Sequence, residues 1–189
     1  MADELQAVRS RVGSYFDTSG NMRNQCVLNS LCLVMSSIRM GEPVSKIEIV
    51  ASGDRFSVTD DGPGLLIVSK NGIPSATEYM TELKACHRHP GHAGLEDRIC
   101  GHGLATVNAI SSTARVVTGT GIATMQKFSV GRPMSAPAET KAELKGTRFD
   151  FELDKRSIAG PAFDLGKLEV DIASIGVSLD GVTVTVKDS

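Results

Sequence analysis

Two carboxylates stand directly before a glycine turn in the run Asp60-Asp61-Gly62-Pro63-Gly64. Gly62 and Gly64 let the backbone turn sharply and approach a ligand closely. A carboxylate such as Asp60 can then lie at the mouth of a pocket and accept a hydrogen bond from an amino group. A plain hairpin turn with solvated acids has the same residue types. The motif alone therefore leaves a ligand site and a simple turn as alternatives.

All four histidines of the chain fall in a second segment, which contains Cys86-His87-Arg88-His89-Pro90-Gly91-His92 and ends at His102. Histidine exchanges protons near neutral pH without a large change of its pKa. Solvated loop histidines, a proton-transfer role over a pocket and a metal site are the three interpretations. The spacing fits no established zinc pattern, so we expect no metal site and no cofactor. Because the Pro90-Gly91 turn redirects the chain, at most two of these histidines can face one pocket, and His87 and then His89 are the catalytic candidates beside Asp60.

Composition limits the class of protein that can carry these residues. The chain has 189 residues, 41% of them apolar, and a net charge of −2, which fits a single domain over 1–189 with a substantial core. It has no apolar signal region at its start and no run long enough to span a membrane, so we expect a cytoplasmic protein with no membrane partner. It also lacks tryptophan and a long basic run, so nucleic acid is not an expected partner. The four cysteines form no close CxxC pair and are expected to be free thiols.

Hydrophobic periodicity predicts an α/β sandwich that positions the two segments. Helical spacing covers 24–39, with Asn21 or Asn24 as a cap and Gly41 as a stop, and alternation predicts a hairpin of 47–50 with 56–59. The proline-containing stretch 131–145 is typical of an exposed loop. Further helices are predicted over 75–86, 103–111 and 162–175, and further strands over 114–118, 123–130, 147–153 and 181–187.

Five segments of the chain, 8–15, 57–64, 75–83, 101–111 and 146–149, follow one another in a recognisable order. The series resembles the N-terminal ATPase subdomain of bacterial DNA gyrase B and its topoisomerase IV relatives, in the GHKL superfamily, over nearly the whole chain. The resemblance implies helices packed on one face of a mixed, mostly antiparallel sheet. It also implies that Asp60 takes the amino group of a base and that Thr147 supports this contact through water.

The chain departs from that family where ATP is hydrolysed. A gapless alignment puts Ser30 at the position of the glutamate that activates water and Val34 at the position of the asparagine that binds magnesium. A serine hydroxyl stays protonated near neutral pH, and valine has no oxygen for a hard cation. A shifted register brings Gln25 and Asn29 there instead, which restores a magnesium ligand but no base. We therefore expect no ATP hydrolysis from this degenerate, free-standing subdomain.

The phosphate-binding part is altered as well. Gly101 and Gly103 remain where backbone amides cradle phosphates in the family. Asp97 and Arg98 fill two earlier glycine positions, where Asp97 would repel a triphosphate and Arg98 could offset that repulsion. Arg88 falls where the family keeps a phosphate-facing lysine, so it can hold an anion such as an enolate or a carboxylate.

These departures favour a repurposed pocket over an ATPase. We expect it to bind a small organic metabolite and to transform it by proton transfer, in a lyase- or cyclase-type elimination, addition or ring closure such as natural-product biosynthesis uses. The alternative is a non-hydrolysing nucleotide- or drug-binding module, acting as a sensor or a resistance decoy. A homodimer is left open by the sequence. The predicted ligand-binding residues are Ser30, Val34, Asp60, Gly62, Gly64, Arg88, Arg98, Gly101, Gly103 and Thr147.

Overall fold

The computed structural model describes residues 2–66, 72–93, 95 and 100–189. The helices are α1 (Ala2–Ser10), α2 (Met22–Ser30), α3 (Cys32–Arg39), α4 (Ser75–Thr81), α5 (Leu104–Ala109) and α6 (Leu165–Ala173). Short 3₁₀ turns cover Val12–Ser14, Ala85–Arg88 and Pro90–His92. The strands are β1 (Lys46–Ser52), β2 (Arg55–Asp60), β3 (Ser111–Ser129), β4 (Arg132–Pro133), β5 (Ala138–Leu153) and β6 (Thr183–Lys187).

The strands of the described ranges form one open mixed sheet in the order β4-β3-β5-β2-β1-β6. All neighbouring strands are antiparallel except β1 and β6, which run parallel. The predicted fold class, an α+β arrangement of helices on a mixed sheet, is confirmed. Within the described residues, no helix combines the length and the apolar character needed to cross a bilayer.

One face of the sheet is apolar because side chains alternate along each strand. Ile49 on β1 lies opposite Val58 on β2, and Val58 lies opposite Phe149 on β5, which in turn pairs with Val116 on β3. All four side chains are buried. Directly opposite residues point to the same face, so they form a continuous apolar row under the helices. The other face carries solvated ion pairs, including Arg115 and Arg148 with Asp150.

The predicted helix over 24–39 is divided at Leu31 into α2 and α3. Asn21 caps α2, since its side-chain oxygen accepts a hydrogen bond from the backbone N–H of Asn24. The side chain of Asn24 donates to the backbone carbonyl of Asp164 at 2.7 Å and accepts from its N–H at 3.0 Å. This pair of bonds fixes α2 against the start of α6.

Three predictions about the elements were wrong. The segment 131–145 is not a loop throughout, because β4 occupies Arg132–Pro133 and β5 begins at Ala138. The predicted strands over 114–118 and 123–130 are parts of one long strand, β3. The helix predicted over 75–86 ends at Thr81, and a 3₁₀ turn follows at Ala85–Arg88. The predicted β1–β2 hairpin is confirmed.

Candidate functional site

Three polar side chains, called the polar row below, lie at one end of the apolar face of the sheet. Asp60 is the last residue of β2 and lies opposite Thr147 on β5, and Thr147 lies opposite Thr118 on β3. Asp60 is two residues after Val58, so its side chain is directed to the same, helix-covered face. The three side chains therefore lie side by side where the apolar row stops.

Asp60 has the environment of a carboxyl that can change its protonation state near neutral pH. Its Oδ1 accepts a hydrogen bond from the backbone N–H of Gly62 at 2.9 Å. Burial raises the pKa of Asp60 from 3.8 to about 6, although the N–H groups of Gly62 and Thr147 act in the opposite direction. The nearby carboxylates of Asp61 and Glu42 raise the pKa further. Close to pH 6, this carboxyl can accept or donate a proton.

Asp61 has a different role from its neighbour. Its side chain accepts hydrogen bonds from the backbone N–H groups of Ser45 at 2.8 Å and Lys46 at 2.9 Å, and from the Ser45 hydroxyl. Burial raises its pKa, but these hydrogen bonds outweigh burial and hold the pKa of Asp61 below its ordinary value. Asp61 thus stabilises the turn, whereas Asp60 faces the interior.

The two threonines are linked to each other and to the glycine turn. The Thr118 hydroxyl accepts a hydrogen bond from the backbone N–H of Leu65 at 2.7 Å and lies 3.1 Å from the Thr147 hydroxyl. Both side chains are buried. Thr118 was not among the predicted site residues. Its position opposite Thr147 in the β3–β5 pairing is the signal that identifies it.

Thr118 also lines a cavity of about 410 Å³. This volume lies in the range of small-molecule sites, and the wall is mainly apolar with few polar groups, as such sites usually are. The cavity starts at the end of the polar row and extends over the turn that follows Asp60. Its lining residues include Pro63, Leu65, Pro74, Ala76, Thr118 and Ile122.

The predicted glycines allow close backbone approach at this site. Gly64 has φ of +75°, and a Cβ there would lie 3.1 Å from the Thr118 hydroxyl oxygen. Gly62 lies so close to Asp60 that a Cβ would be 2.9 Å from its Oδ1. Gly146 is more constrained, with φ of +102° and a hypothetical Cβ only 2.0 Å from the carbonyl oxygen of Asp60. The backbone around Asp60 is therefore closely packed on both sides.

Arg88, the predicted anion-binding residue, is engaged by two glutamates. Its guanidinium donates to Glu78 and, at 2.8 Å, to Glu82. Glu78 is buried, so Arg88 supplies the positive charge that its carboxylate needs there. Any anionic ligand would compete with these two carboxylates for Arg88.

The two histidines predicted to be catalytic have different surroundings. The Nε2 of His87 lies 3.1 Å from the carbonyl oxygen of Gly101, and because a carbonyl only accepts, Nε2 carries the proton. Its ring stacks on His92 with 4.1 Å between centroids. The Nδ1 of His89 accepts from the N–H of Gly91 at 3.2 Å, and burial lowers the pKa of His89. Asp60 and His89 both experience the charge of Glu42.

The remaining predicted residues lie around α2 and α3. Ser30 and Val34 are buried, and the Ser30 hydroxyl donates to the carbonyl of Cys26 at 2.8 Å. A Cβ on Gly101 would lie 2.8 Å from the Asn29 side-chain nitrogen, and one on Gly103 would lie 2.8 Å from the Cys86 sulfur. These glycines therefore bring the start of α5 against other parts of the chain. Arg98 and Asp97 lie outside the described residues.

Thiols and an imidazole come together between α3 and residues 86–92, which are called the histidine segment below. Cys32, His92 and Cys100 each offer one donor atom, and these atoms all lie within 4.8 Å of one another. The Cys32 thiol also lies close to that of Cys86, which stands outside this set of three donors. Among the described residues, this cluster has donor types that suit a metal ion.

Comparison with known proteins gives no family assignment, since no family model and no curated protein matches the chain.

Proposed function

We propose that the chain binds a small organic molecule at the polar row of Asp60, Thr147 and Thr118, and that Asp60 exchanges a proton with it. The observation that carries this proposal is the row itself, with Thr147 and Thr118 buried and Asp60 half-buried, which adjoins a cavity of about 410 Å³ through Thr118 alone. A pKa of about 6 suits Asp60 to acid–base work near neutral pH. The reaction class is elimination, addition or ring closure.

In an elimination, the ionised Asp60 would remove a proton from a carbon of the ligand. The electron pair of the broken C–H bond would form the new double bond, while the bond to the leaving group breaks and its electron pair departs with that group. The protonated Asp60 would then return that proton to the leaving group. The hydroxyls of Thr147 and Thr118 are 3.1 Å apart and could hold an oxygen atom of the ligand on which charge develops. The contacts of His87 with Gly101 and His92 favour Asp60 over His87 as the group that exchanges the proton. His89 stays a second candidate.

A second candidate function is a binding module for a nucleotide or for a drug that imitates one. The pairing of Asp60 with Thr147 favours it, because an ionised Asp60 can accept from an exocyclic amino group as the gyrase B resemblance implies. Neither function includes ATP hydrolysis. Ser30 directs its hydroxyl to a helix carbonyl, and Val34 has no ligand atom for magnesium.

The test begins with native mass spectrometry of the purified protein and of Asp60→Asn, with Thr183→Val on the exposed part of β6 as the matched control. A bound organic metabolite that is lost in Asp60→Asn and retained in the control supports the proposal. The metabolite, or synthetic analogues of it, is then incubated with both proteins over pH 5–8. Conversion that changes around pH 6 and disappears in Asp60→Asn supports proton transfer. Binding without conversion favours the binding module, and a ligand held equally by Asp60→Asn contradicts both functions.

A further inference from the structure

We propose that Cys32, Cys86, His92 and Cys100 bind one zinc ion, which fastens the histidine segment to α3. These four residues are called the cysteine–histidine cluster below. The inference goes beyond the proposed function and does not depend on it, because none of the four residues belongs to the polar row.

The distances among three of the four residues are close to those of a zinc site. The donor atoms of Cys32, His92 and Cys100 lie within 4.8 Å of one another. Zinc–sulfur bonds of about 2.3 Å in a tetrahedron put two sulfurs about 3.8 Å apart. A contraction of about 1 Å, within the reach of side-chain rotation, would bring the three donors onto one ion.

Cys86 is the fourth ligand in this proposal. Its thiol lies next to that of Cys32, but it stands outside the three donors that are all within 4.8 Å of one another. Its sulfur faces Gly103, where a Cβ would lie only 2.8 Å away. A rotation of the Cys86 side chain towards the other three donors would complete a tetrahedral set.

The elements that carry the ligands are held together tightly. Cys32 begins α3, Cys86 lies in one 3₁₀ turn and His92 ends the next. Gly91 packs so closely on α3 that a Cβ would lie 1.9 Å from the carbonyl oxygen of Ser36. The ligand positions are therefore brought together by packing and not only by the metal.

Burial and donor type indicate a structural zinc ion. Cys32, Cys86 and Cys100 are at most 1% exposed, so a metal there would be closed off from solvent, as in structural zinc sites. Three thiolates and one imidazole form a Cys₃His set, and thiolates select soft or borderline metals over magnesium or calcium. The ligands are distant in sequence, which explains why spacing alone predicted no metal.

The closest competing chemistry is a disulfide between two of these cysteines. Cys32 lies near both Cys86 and Cys100, and all three are free thiols in the structure. A disulfide would use two sulfurs and leave His92 without a function in the cluster. The two states differ in metal content and in thiol count, so one set of measurements separates them.

The experiment measures zinc by elemental mass spectrometry in protein produced with zinc, and the absorption of the chelator-stripped, reduced protein after addition of Co²⁺. We expect about one zinc per chain, as the four-ligand site requires, and sulfur-to-cobalt charge-transfer absorption. Substituting a residue that only hydrogen-bonds to a metal ligand lowers metal affinity by up to about 100-fold. Cys100→Ala and His92→Gln remove a ligand itself, so each should lower zinc affinity by more than that. Cys26→Ala is the matched control, because Cys26 is equally buried but lies outside the cluster.

Three results would overturn the proposal: zinc bound equally well by Cys100→Ala, a disulfide in the native protein with no cobalt charge-transfer band after reduction, or zinc absent from the native protein despite reduced thiols. If a variant does not fold, the cobalt spectrum of the unaltered protein still decides, because it reports thiolate ligation directly. Asp60→Asn should keep its zinc, so failure of the function and failure of the metal site are distinguishable.

Discussion

Asp60 and Asp61 are adjacent in sequence, yet their surroundings affect the charge of the two carboxylates in opposite ways. Asp61 is stabilised as an anion by donors from Ser45 and Lys46, whereas burial opposes the charge of Asp60. Stability and ligand binding at this turn are therefore carried by different side chains. This separation makes the two carboxylates useful controls for each other.

We predict that Asp60→Asn stabilises the protein at pH 7 and above. The folded state holds the Asp60 proton more tightly than the unfolded chain, since its pKa rises from 3.8 to about 6. Its contribution to stability is therefore largest below pH 3.8 and falls as the pH rises to about 6, by at most about 3 kcal/mol. Asparagine keeps an oxygen for the Gly62 N–H and does not ionise. Urea unfolding over pH 4–8 measures the difference.

Asp61→Asn should have the opposite effect at pH 7. It replaces an ionised acceptor that receives bonds from Ser45 and Lys46, which typically contributes about 1–3 kcal/mol. A loss of stability in Asp60→Asn at pH 7, as large as that in Asp61→Asn, would contradict the raised pKa. Asp60 would then be a second turn-stabilising residue.

Thr118→Val is predicted to destabilise the protein by about 1–3 kcal/mol, because it leaves the Leu65 N–H without its acceptor. Thr183→Val on the exposed part of β6 should change stability by less than about 0.5 kcal/mol. Thermal unfolding of both variants makes the comparison. Equal effects would mean that the Thr118 hydroxyl contributes nothing specific at the end of the polar row.

At the scale of elements, the sequence predicted best where one face of a strand or helix is buried. The alternation of Ile47 and Ile49 in β1 is such a case, and the predicted hairpin is found. The first part of β5, Ala138 to Lys145, is mainly exposed on both faces, so no apolar period marks it as a strand. The predicted strands over 114–118 and 123–130 left a gap between them, but pairing of Gly119 and Gly121 with Gly146 and Leu144 on β5 keeps that region extended.

The candidate site was predictable only where its residues are local in sequence. Asp60 and its glycines form one short motif, which the sequence could indicate without structural information. Thr118 depends on the register between β3 and β5, and the cysteine–histidine cluster depends on packing of the histidine segment against α3. Such juxtapositions arise from tertiary contacts, and no single-sequence spacing rule contains them.

We predict that Gly91→Ala destabilises the protein by at least about 1–3 kcal/mol, the usual cost of overpacking. Its added Cβ would lie 1.9 Å from the Ser36 carbonyl oxygen, which belongs to the backbone of α3 and cannot rotate away. Gly121→Ala is the matched control, since no atom lies within 4 Å of a Cβ there. Chemical denaturation measures both changes. Identical midpoints for the two variants would contradict the close packing of the histidine segment on α3.

Arg88→Gln is predicted to destabilise the protein by about 1–3 kcal/mol, because the buried carboxylate of Glu78 would lose its charged partner. The cost stays below that of a fully buried pair, since the Arg88 side chain is half exposed. Glu82→Gln should have a smaller effect, because it leaves the Arg88–Glu78 pair intact. Urea unfolding of both variants at pH 7 is the measurement. If Arg88→Gln leaves the stability unchanged, the ion pair with Glu78 is not needed for folding, and Arg88 is available for the predicted anion-binding role.

For the whole molecule, we predict no magnesium-dependent release of phosphate from ATP. Loss of a general base typically costs about 10²–10⁴-fold in rate, and Ser30 is hydrogen-bonded within its own helix. A coupled phosphate assay with and without magnesium measures it. Turnover that requires magnesium and is abolished by Ser30→Ala would contradict the prediction.

The parallel pairing of β1 with β6 has a consequence for folding during synthesis. Strands β1 and β2 leave the ribosome before their partners, so β5 can join β2, and β6 can join β1, only after the residues between them have been synthesised. Translation proceeds at about 5–20 residues per second, so the apolar surface of the β1–β2 hairpin stays exposed for several seconds until β5 and β6 have been synthesised. Long-range pairing of this kind also slows folding after release. That apolar surface is open to non-native contacts during the interval.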